Sequence, residues 1–254
     1  MKLVRFSVNG AQARYGVVEG DVVRAIAGDP MGQFTLGQVI YPLQEVKILP
    51  PCSPSKVVAV GYNYAGHADE LKEIQPFDPL IFLKAPSSLV GHGEPVVRPK
   101  ITQRLGFEAE LAVIVGRSAK NVEPDEALNY VFGYTCGNDL TDRDLQKREV
   151  QYARSKSFDT FCPLGPIVAL GLDPGDLKVE SRVNGEVRQS SSTKLLIHSV
   201  PKRISWISKS MTLVPGDVIL TGTPPGVGLL EPGDAVEIEV GGVGTLRNPV
   251  VQEE

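Results

Sequence analysis

Two glutamates separated by a single residue lie in a stretch that otherwise reads as a buried strand. The sequence GFEAELAVIVG covers residues 106–116 and contains Glu108 and Glu110. Because side chains alternate between the two faces of a strand, both carboxylates share one face, ~7 Å apart. Like charges at that separation repel by roughly 2 kcal/mol at an effective dielectric constant near 20, and desolvation adds to this cost. A cation, a basic partner or protonation would offset it, whereas an edge strand with a solvent-facing side would avoid it.

A third carboxylate, Asp139, ends the strand-like run VFGYTCGND and precedes a helix-like segment. Side chains at such positions often project into a functional site, although an aspartate there more commonly serves a turn or a helix cap. Three carboxylates without His or Cys make a hard oxygen site, which suits Mg²⁺, Mn²⁺ or Ca²⁺ and disfavours Zn²⁺. The residue types therefore favour a divalent-metal site formed by Glu108, Glu110 and Asp139.

A histidine and a glutamate have helical spacing in the segment GYNYAGHADELKE. His67 and Glu70 are three residues apart, so they share a face if HADELKEI forms a helix. A histidine paired with a carboxylate holds one tautomer and can act as a general base on water. The competing interpretation is a solvated pair on a surface helix.

Further basic and polar side chains follow the same pattern of strand ends and helix faces. Arg143 and Gln146 come four and seven residues after Asp139, on one helix face, where Arg143 could steady Asp139 or bind a substrate carboxylate with two hydrogen bonds. Lys84 ends the apolar run LIFLK, and Lys156 lies in ARSKSFDTFCP. A solvated helix face and snorkelling lysines are the alternatives.

The elements that must position these residues are mostly short strands. Frequent Gly and Pro separate many β-like runs, which predicts an α+β, β-rich fold with many turns rather than alternating βαβ units. Residues 1–50 contain three strand-like runs before the linker LPPCSPSK, and they predict a small N-terminal β domain. Residues 51–254 then form the larger domain, which contains all of the candidate site residues.

Local signals give several specific expectations for the larger unit. One strand is predicted across 106–116, and a helix begins at Pro124 in PDEALNY. A second helix is expected in TDRDLQKREVQ, with Thr141 and Asp144 as a loose capping box. Asn184-Gly185 predicts a type I′ hairpin turn, and SVPKRISWISKSM predicts a helix.

Composition excludes several classes of protein. Hydrophobic residues make up 42% of the 254 residues, which is enough for a sizeable core, and the net charge of -4 without a basic run argues against nucleic acid or an anionic membrane as partner. Three isolated cysteines imply neither a disulfide framework nor a zinc site. With no apolar leader and no run of roughly 20 apolar residues, a cytoplasmic location is expected.

Taken together and in order, six motifs resemble the fumarylacetoacetate hydrolase family over about residues 56–250. These motifs are GYNYAGHADE, LIFLK, FEAELAVIVG, GYTCGNDLTDRDLQ, KSFDTFCPLGP and PGDVILTGTPPGVG. The resemblance implies a mixed β-sandwich roll, commonly a homodimer, and it implies that the N-terminal 50 residues form the small β-domain that precedes this fold in many bacterial members.

The resemblance also assigns roles to individual residues. It implies that Mg²⁺ or a similar ion is bound and that a mobile lid carries the water-activating dyad His67–Glu70. Lys156, with Lys84 nearby, would stabilise developing negative charge. The implied metal ligands are Glu108, Glu110 and Asp139, and the implied contacts to metal-bound substrate are Arg143, Gln146 and Thr223.

The implied chemistry is that of an enzyme acting on 2-oxo or 2-hydroxy-dienoic acids through a metal-stabilised enolate. The layout most resembles 2-hydroxyhepta-2,4-diene-1,7-dioate isomerases and 5-oxopent-3-ene-1,2,5-tricarboxylate decarboxylases. Acylpyruvate hydrolases and oxaloacetate decarboxylases or tautomerases are the alternatives, although these often have Arg where Tyr62 stands here. A non-catalytic metal-binding β module, or purely structural carboxylates, would be hypotheses of another class.

Overall fold

A computed structural model describes residues 1–66 and 77–254 of the chain. Within these ranges the backbone forms 20 strands and three α-helices. The N-terminal segment contains β1 (Lys2–Ser7), β2 (Arg14–Glu19), β3 (Val22–Gly28), β4 (Phe34–Pro42) and β5 (Lys47–Ile48). Three of these strands were predicted, and β4 and β5 are additional to them.

The remaining elements lie in the larger part of the chain. The strands up to the first helix are β6 (Val57–Gly61), β7 (Leu80–Lys84), β8 (Leu89–Val90), β9 (Val96–Arg98), β10 (Leu105–Phe107), β11 (Ala109–Val115), β12 (Val131–Asn138) and β13 (Thr141–Asp142). The helices are α1 (Arg143–Arg148), α2 (Ala153–Lys156) and α3 (Val200–Ser210). The later strands are β14 (Cys162–Ala169), β15 (Lys178–Val183), β16 (Glu186–Ser192), β17 (Val218–Leu220), β18 (Gly228–Leu230), β19 (Ala235–Val240) and β20 (Gly244–Gln252).

Three sheets contain the strands of the described ranges. The largest has the order β4-β3-β2-β1-β14-β12-β11-β17-β6-β7, with β5 beside β1 and β8 beside β14. A five-stranded sheet has the order β16-β15-β19-β20-β9, and a small one has the order β13-β10-β18. Parallel pairs such as β17 with β6 and β20 with β9 make these sheets mixed. Strand β1 pairs with β14, so the N-terminal strands continue the large sheet.

The core lies on both faces of β11, as its continuous apolar run indicates. All seven residues of β11 are buried. Leu111 and Val113 belong to a cluster that includes Val179 and Ile238 of the five-stranded sheet, which packs against the large one. Ala112 and Ile114 belong to a second cluster on the opposite face. The predicted β-rich α+β fold, a mixed β-sandwich roll, is confirmed.

Glu108 interrupts the strand predicted across residues 106–116. β10 ends at Phe107 and pairs within the small sheet, whereas β11 begins at Ala109 and pairs within the large sheet. The amide of Glu108 donates to the side-chain Oδ1 of Asn138 at 3.0 Å, and its carbonyl accepts from the amide of Asp139 at 3.0 Å. Glu108 therefore lies where the chain passes from one sheet to the other.

Three other local predictions can be compared with the structure. The helix predicted to open at Thr141 instead has Asp142 as its cap, because the Asp142 carboxylate accepts from the amides of Asp144 and Leu145 at 3.0 Å each. Thr141 lies in β13, and the PDEALNY helix is reduced to a single 3₁₀ turn, Ala127–Tyr130. The hairpin is confirmed, with positive φ at both Asn184 and Gly185.

The predicted helix near SVPKRISWISKSM is confirmed as α3, with Pro201 in its first turn. No helix within the described ranges is long and apolar enough to cross a membrane. The helix predicted in HADELKEI lies outside the described residues.

Candidate active site

The three predicted metal ligands converge at the point where the chain changes sheets. Glu108, Glu110 and Asp139 each offer a carboxylate oxygen, and these oxygens lie within 4.8 Å of one another. All three residues are buried. The convergence follows from the topology, because β11 and β12 are antiparallel neighbours and Ala109 pairs with Asn138.

Glu110 is held by the backbone rather than by a cation. Its Oε2 accepts a hydrogen bond from the amide of Gly222 at 2.6 Å. Among the described residues it forms no ion pair, and its negative charge raises the pKa of the buried Arg203 guanidinium against the effect of burial. Burial, followed by the charges of Asp139 and Glu108, raises the pKa of Glu110 well above its usual value, while the Gly222 amide opposes this rise.

Asp139 accepts hydrogen bonds from two buried lysines. Lys84 Nζ lies 2.5 Å from Oδ1 and also donates to the Leu140 carbonyl at 3.2 Å. Lys156 Nζ lies 2.7 Å from Oδ2 and reaches Glu108 Oε2 at 2.8 Å. Lys84 is 1% exposed, so its charge is directed at Asp139. Neither lysine extends its ammonium group to solvent. Lys84 pairs with Asp139, a predicted metal ligand. A direct contact between Lys84 and a substrate stays a prediction.

Lys156 remains a cation despite its burial. Burial by itself lowers the pKa of its ammonium group, but the neighbouring carboxylates of Asp139 and Glu108 raise it by more. The net pKa is therefore above the ordinary value. A protonated ammonium group in this position can stabilise negative charge.

Arg143 closes the site on the side of Glu108. Its Nη1 lies 2.6 Å from Glu108 Oε1 and donates to Gln146 Oε1 at 3.1 Å, as expected from their shared helix face. The Nη2 atom of Arg143 is buried and has no hydrogen-bond partner within the described part of the chain. A Cβ on Gly106 would lie 2.3 Å from Arg143 Nε, so glycine at this position provides the space for the guanidinium group.

Thr223 lines the same cavity as the two glutamates and accepts a hydrogen bond from Gln189. Gln189 Nε2 donates to Thr223 Oγ1 at 2.7 Å and to the Pro224 carbonyl at 2.7 Å. Its Oε1 accepts from the amide of Ala109, between the two glutamates, at 3.0 Å. Gln189 thus connects the wall of the site to the strand that bears the carboxylates.

A cavity opens next to these groups and has an aromatic side. Phe82 and Tyr152 pack edge to face with ring centroids 5.5 Å apart, and Lys156 Nζ lies 5.1 Å from the Phe82 centroid. Tyr62 also lines the cavity and has a positive φ of 50°. The lining residues are Val60, Gly61, Tyr62, Phe82, Glu108, Glu110, Asp139, Gln146, Tyr152, Lys156 and Thr223.

The donor set fits a hard divalent cation. Three carboxylates converge, and Glu110 receives no direct cationic contact within the described ranges, which leaves negative charge that a dication can neutralise. The predicted site residues that the structure brings together are Glu108, Glu110, Asp139, Lys84, Lys156, Arg143, Gln146 and Thr223. His67 and Glu70 lie outside the described residues.

Comparison with known proteins identifies the family. The family model "Fumarylacetoacetate (FAA) hydrolase C-terminal" matches residues 56–251, and "Rv2993c-like, N-terminal" matches residues 1–51. The chain belongs to the fumarylacetoacetate hydrolase family, whose members are enzymes and commonly use a divalent metal.

Relatives in this family include isomerases and tautomerases. The structure of 5-carboxymethyl-2-hydroxymuconate delta-isomerase from Mycobacterium smegmatis matches with 44% identity, a TM-score of 0.93 and full coverage of both chains. The 2-hydroxyhepta-2,4-diene-1,7-dioate isomerase from Mycobacterium marinum matches at 42% identity and a TM-score of 0.93, covering 100% of this chain and 99% of that one. Oxaloacetate tautomerase YisK from Bacillus subtilis is 44% identical over 85% of this chain and 76% of its own length.

Several residues of the site had no local signal in the sequence. Gln189 and Arg203 occur in polar or mixed segments far along the chain from the glutamates, and Tyr152 follows a short helix. Only the fold brings them to the site. The mobile lid that the family resemblance implies carries His67 and Glu70, and residues 67–76 lie outside the described residues.

Proposed function

We propose that this chain is a divalent-metal-dependent enzyme that moves a proton, and with it a double bond, in a dicarboxylic 2-oxo or 2-hydroxy-dienoic acid. The best candidate is an activity of the 2-hydroxyhepta-2,4-diene-1,7-dioate isomerase/decarboxylase type. The observation that carries the proposal is the convergence of Glu108, Glu110 and Asp139 beside a cavity that Lys156 also lines. The relatives from Mycobacterium support this choice.

Glu108, Glu110 and Asp139 would hold the cation, and Mg²⁺ is the ion proposed, with Mn²⁺ or Ca²⁺ as substitutes. Such an ion supplies Lewis-acid stabilisation to the oxygens of a 2-oxo acid. Lys156 stabilises the negative charge that develops when the substrate loses a proton, because its ammonium group lies at the cavity wall between two carboxylates. Gln146 and Thr223 orient the substrate from the same wall.

Arg143 favours a dicarboxylate over a monocarboxylate substrate. One carboxylate and the 2-oxo group would bind at the metal site. The buried Nη2 atom of Arg143, which has no hydrogen-bond partner among the described residues, can donate to a second carboxylate. The similarity to the dioate isomerase from Mycobacterium marinum supports this substrate class.

The aromatic wall supports a planar, conjugated substrate. Phe82 and Tyr152 form a rigid pair on the side of the cavity near Lys156. An enol or dienoic acid is flat and presents a π face to such a wall. A saturated chain would gain less from this contact.

Oxaloacetate tautomerisation is the second candidate. It is favoured by the similarity to the tautomerase from Bacillus subtilis, and it needs the same dicarboxylate site. Decarboxylation of oxaloacetate and hydrolysis of an acylpyruvate start from the same enolate. In the isomerisation and tautomerisation, His67 paired with Glu70 would move the proton as a general base, and in hydrolysis the same pair would activate water.

The test follows the ultraviolet absorbance of enolic oxaloacetate with the protein and Mg²⁺, with and without EDTA, and then assays pyruvate. Chelator-sensitive loss of the enol signal without pyruvate supports tautomerisation, and pyruvate supports decarboxylation. If the enol is unaffected, 2-hydroxyhepta-2,4-diene-1,7-dioate is tested in the same way. Failure with both diacids would refute the proposed activity.

A non-catalytic metal-binding module is the alternative of another class. His67→Ala separates the two, because the variant is expected to keep its metal affinity in either case but to lose turnover only in the enzyme.

A homodimer, which the family resemblance implies, is proposed as the assembled form. Light scattering on the purified chain checks this expectation.

A further inference from the structure

Arg203 is a buried cation with an unusual set of partners. It lies on α3, is 0% exposed, and forms no ion pair with a carboxylate within the described part of the chain. Its Nε and Nη2 atoms are buried and have no hydrogen-bond partner there. Burial lowers the pKa of its guanidinium to about 9, which still leaves it charged at neutral pH. An isolated buried charge is costly, so its one strong contact requires an explanation.

That contact is to the peptide bond that holds Glu110. Arg203 Nη1 donates to the carbonyl oxygen of Thr221, to which Asn63 Nδ2 also donates at 3.0 Å. The amide at the other end of the same peptide bond belongs to Gly222, and it donates to Glu110 Oε2 at 2.6 Å. Two side chains therefore hold one end of a peptide whose other end holds a predicted metal ligand.

The surrounding structure fixes this peptide. Gly222 has a φ of 92°, and a Cβ there would lie 2.9 Å from Asn63 Cβ and 3.1 Å from the Val60 carbonyl oxygen. The Thr221 hydroxyl donates to the Leu111 carbonyl at 2.7 Å. The peptide is thus tied to β6 and to β11, the strand that contains Glu110.

We infer that Arg203 is a positioning residue for Glu110, because its guanidinium orients and polarises the Thr221–Gly222 peptide. A charged donor on the carbonyl oxygen draws electron density along the peptide and strengthens the N–H as a donor. The Gly222 amide then keeps the Glu110 carboxylate in the orientation that a divalent cation requires. This inference rests on the proposed metal-dependent function.

A simple electrostatic view predicts the opposite change in cation affinity when Arg203 is removed. If Arg203 acted only as a nearby positive charge, removing it would tighten the binding of a cation at Glu110. A positioning role predicts weaker binding, because the ligand loses its orientation. Substituting Arg203 with an uncharged residue of similar length therefore separates the two.

The first measurement is the calorimetric affinity for Mn²⁺ of the full-length chain. Arg203→Met is expected to weaken binding about tenfold, as is typical when a partner of a metal ligand is lost. Arg203→Lys keeps the charge and is expected to fall between Arg203→Met and the wild type. Lys202→Met removes a charge from the exposed neighbour on the same helix and serves as the matched control, with unchanged affinity expected. Unchanged or tighter binding in Arg203→Met would overturn the inference.

The second measurement observes the peptide directly and needs no metal. Thr-Gly occurs once in the sequence, at Thr221-Gly222, so combined carbonyl-¹³C threonine and ¹⁵N glycine labelling gives a single correlated NMR signal. In the wild-type protein with EDTA, the Gly222 amide proton is expected downfield and slow to exchange. It is expected to move upfield in Arg203→Met and to stay in place in Lys202→Met.

The two measurements distinguish failure of the inference from failure of the proposed function. If the wild type binds no Mn²⁺, the proposed function fails, whereas the NMR signal still reports whether Arg203 acts on the Gly222 amide. If Arg203→Met does not fold, the inference is tested by the Gly222 amide signal of the wild type and by the Mn²⁺ affinity of Arg203→Lys. A Gly222 amide at an ordinary shift with fast exchange would overturn the inference without any variant.

Discussion

Replacing Lys84 by methionine removes a buried charge and keeps the length of the side chain. In the structure Lys84 Nζ lies 2.5 Å from Asp139 Oδ1, and both side chains are at most 1% exposed. Loss of one partner from a buried ion pair costs about 3–5 kcal/mol. Because Lys156 still contacts Asp139 at 2.7 Å, we expect a loss near the lower end, about 3 kcal/mol.

A divalent cation should compensate for much of this loss. It supplies to Asp139 the positive charge that the variant lacks, so it binds the folded variant more strongly. Mg²⁺ stabilises both proteins, so only the ratio of their affinities changes the deficit, and a variant that binds about twentyfold more tightly than the wild type regains about 1.8 kcal/mol. We expect the deficit of Lys84→Met to shrink to less than half when saturating Mg²⁺ replaces EDTA.

The assay is urea unfolding of wild type and variant, in EDTA and in saturating Mg²⁺. Lys56→Met is the matched control, because Lys56 Nζ lies 2.5 Å from the buried Asp217 in an ion pair that shares no residue with the carboxylate site. The loss in free energy of unfolding caused by Lys56→Met should be the same with and without Mg²⁺. Equal stability of Lys84→Met and wild type in EDTA would refute the reasoning, as would equal rescue of both variants by Mg²⁺.

Three further predictions concern substrate binding, acid stability and turnover. Gly106→Ala should displace the guanidinium of Arg143 and raise the KM for a dicarboxylate roughly tenfold or more, the value of one charge-assisted hydrogen bond, with a smaller change in kcat. Burial raises the pKa of Asp217, but hydrogen bonds from Lys56 and neighbouring groups lower it by more. The ionised carboxylate thus stabilises the fold above its ordinary pKa of 3.8. The loss in free energy of unfolding caused by Asp217→Asn, measured with urea, should be full at pH 7 and shrink as the pH falls below 3.8. A loss that does not change with pH would contradict this. His67→Ala should abolish turnover at unchanged Mn²⁺ affinity, and retained turnover would exclude its proposed role.

The metal-ligand candidates could be predicted because they violate the local pattern. A strand buried on both faces has no use for charged side chains, so Glu108 and Glu110 drew attention without any knowledge of the fold. The break of the strand at Glu108 could not be predicted, because it depends on Asn138, 30 residues away. The helix cap was assigned to Thr141 instead of Asp142 because both residue types cap helices well, and only the backbone geometry decides between them.

Residues that act over long sequence distances were not visible in the pattern. Arg203 lies in an amphipathic helix where a basic residue is ordinary, and Gln189 lies in a hairpin strand. Gln189 reaches Ala109 across the packing of two different sheets, and Arg203 is connected to Glu110 through the Thr221–Gly222 peptide. The domain boundary near residue 50 stays a prediction, because β1 pairs with β14 and the N-terminal strands share the large sheet.

The central claim is that Glu108, Glu110 and Asp139 bind one divalent cation. The most direct test is a Mn²⁺ titration, with free Mn²⁺ followed by electron paramagnetic resonance, of wild type and Glu110→Gln. The glutamine keeps an oxygen for the Gly222 amide but removes the charge. We expect one ion per chain in the wild type and an affinity at least about tenfold weaker in Glu110→Gln. No binding by the wild type, or equal binding by both proteins, would contradict the account.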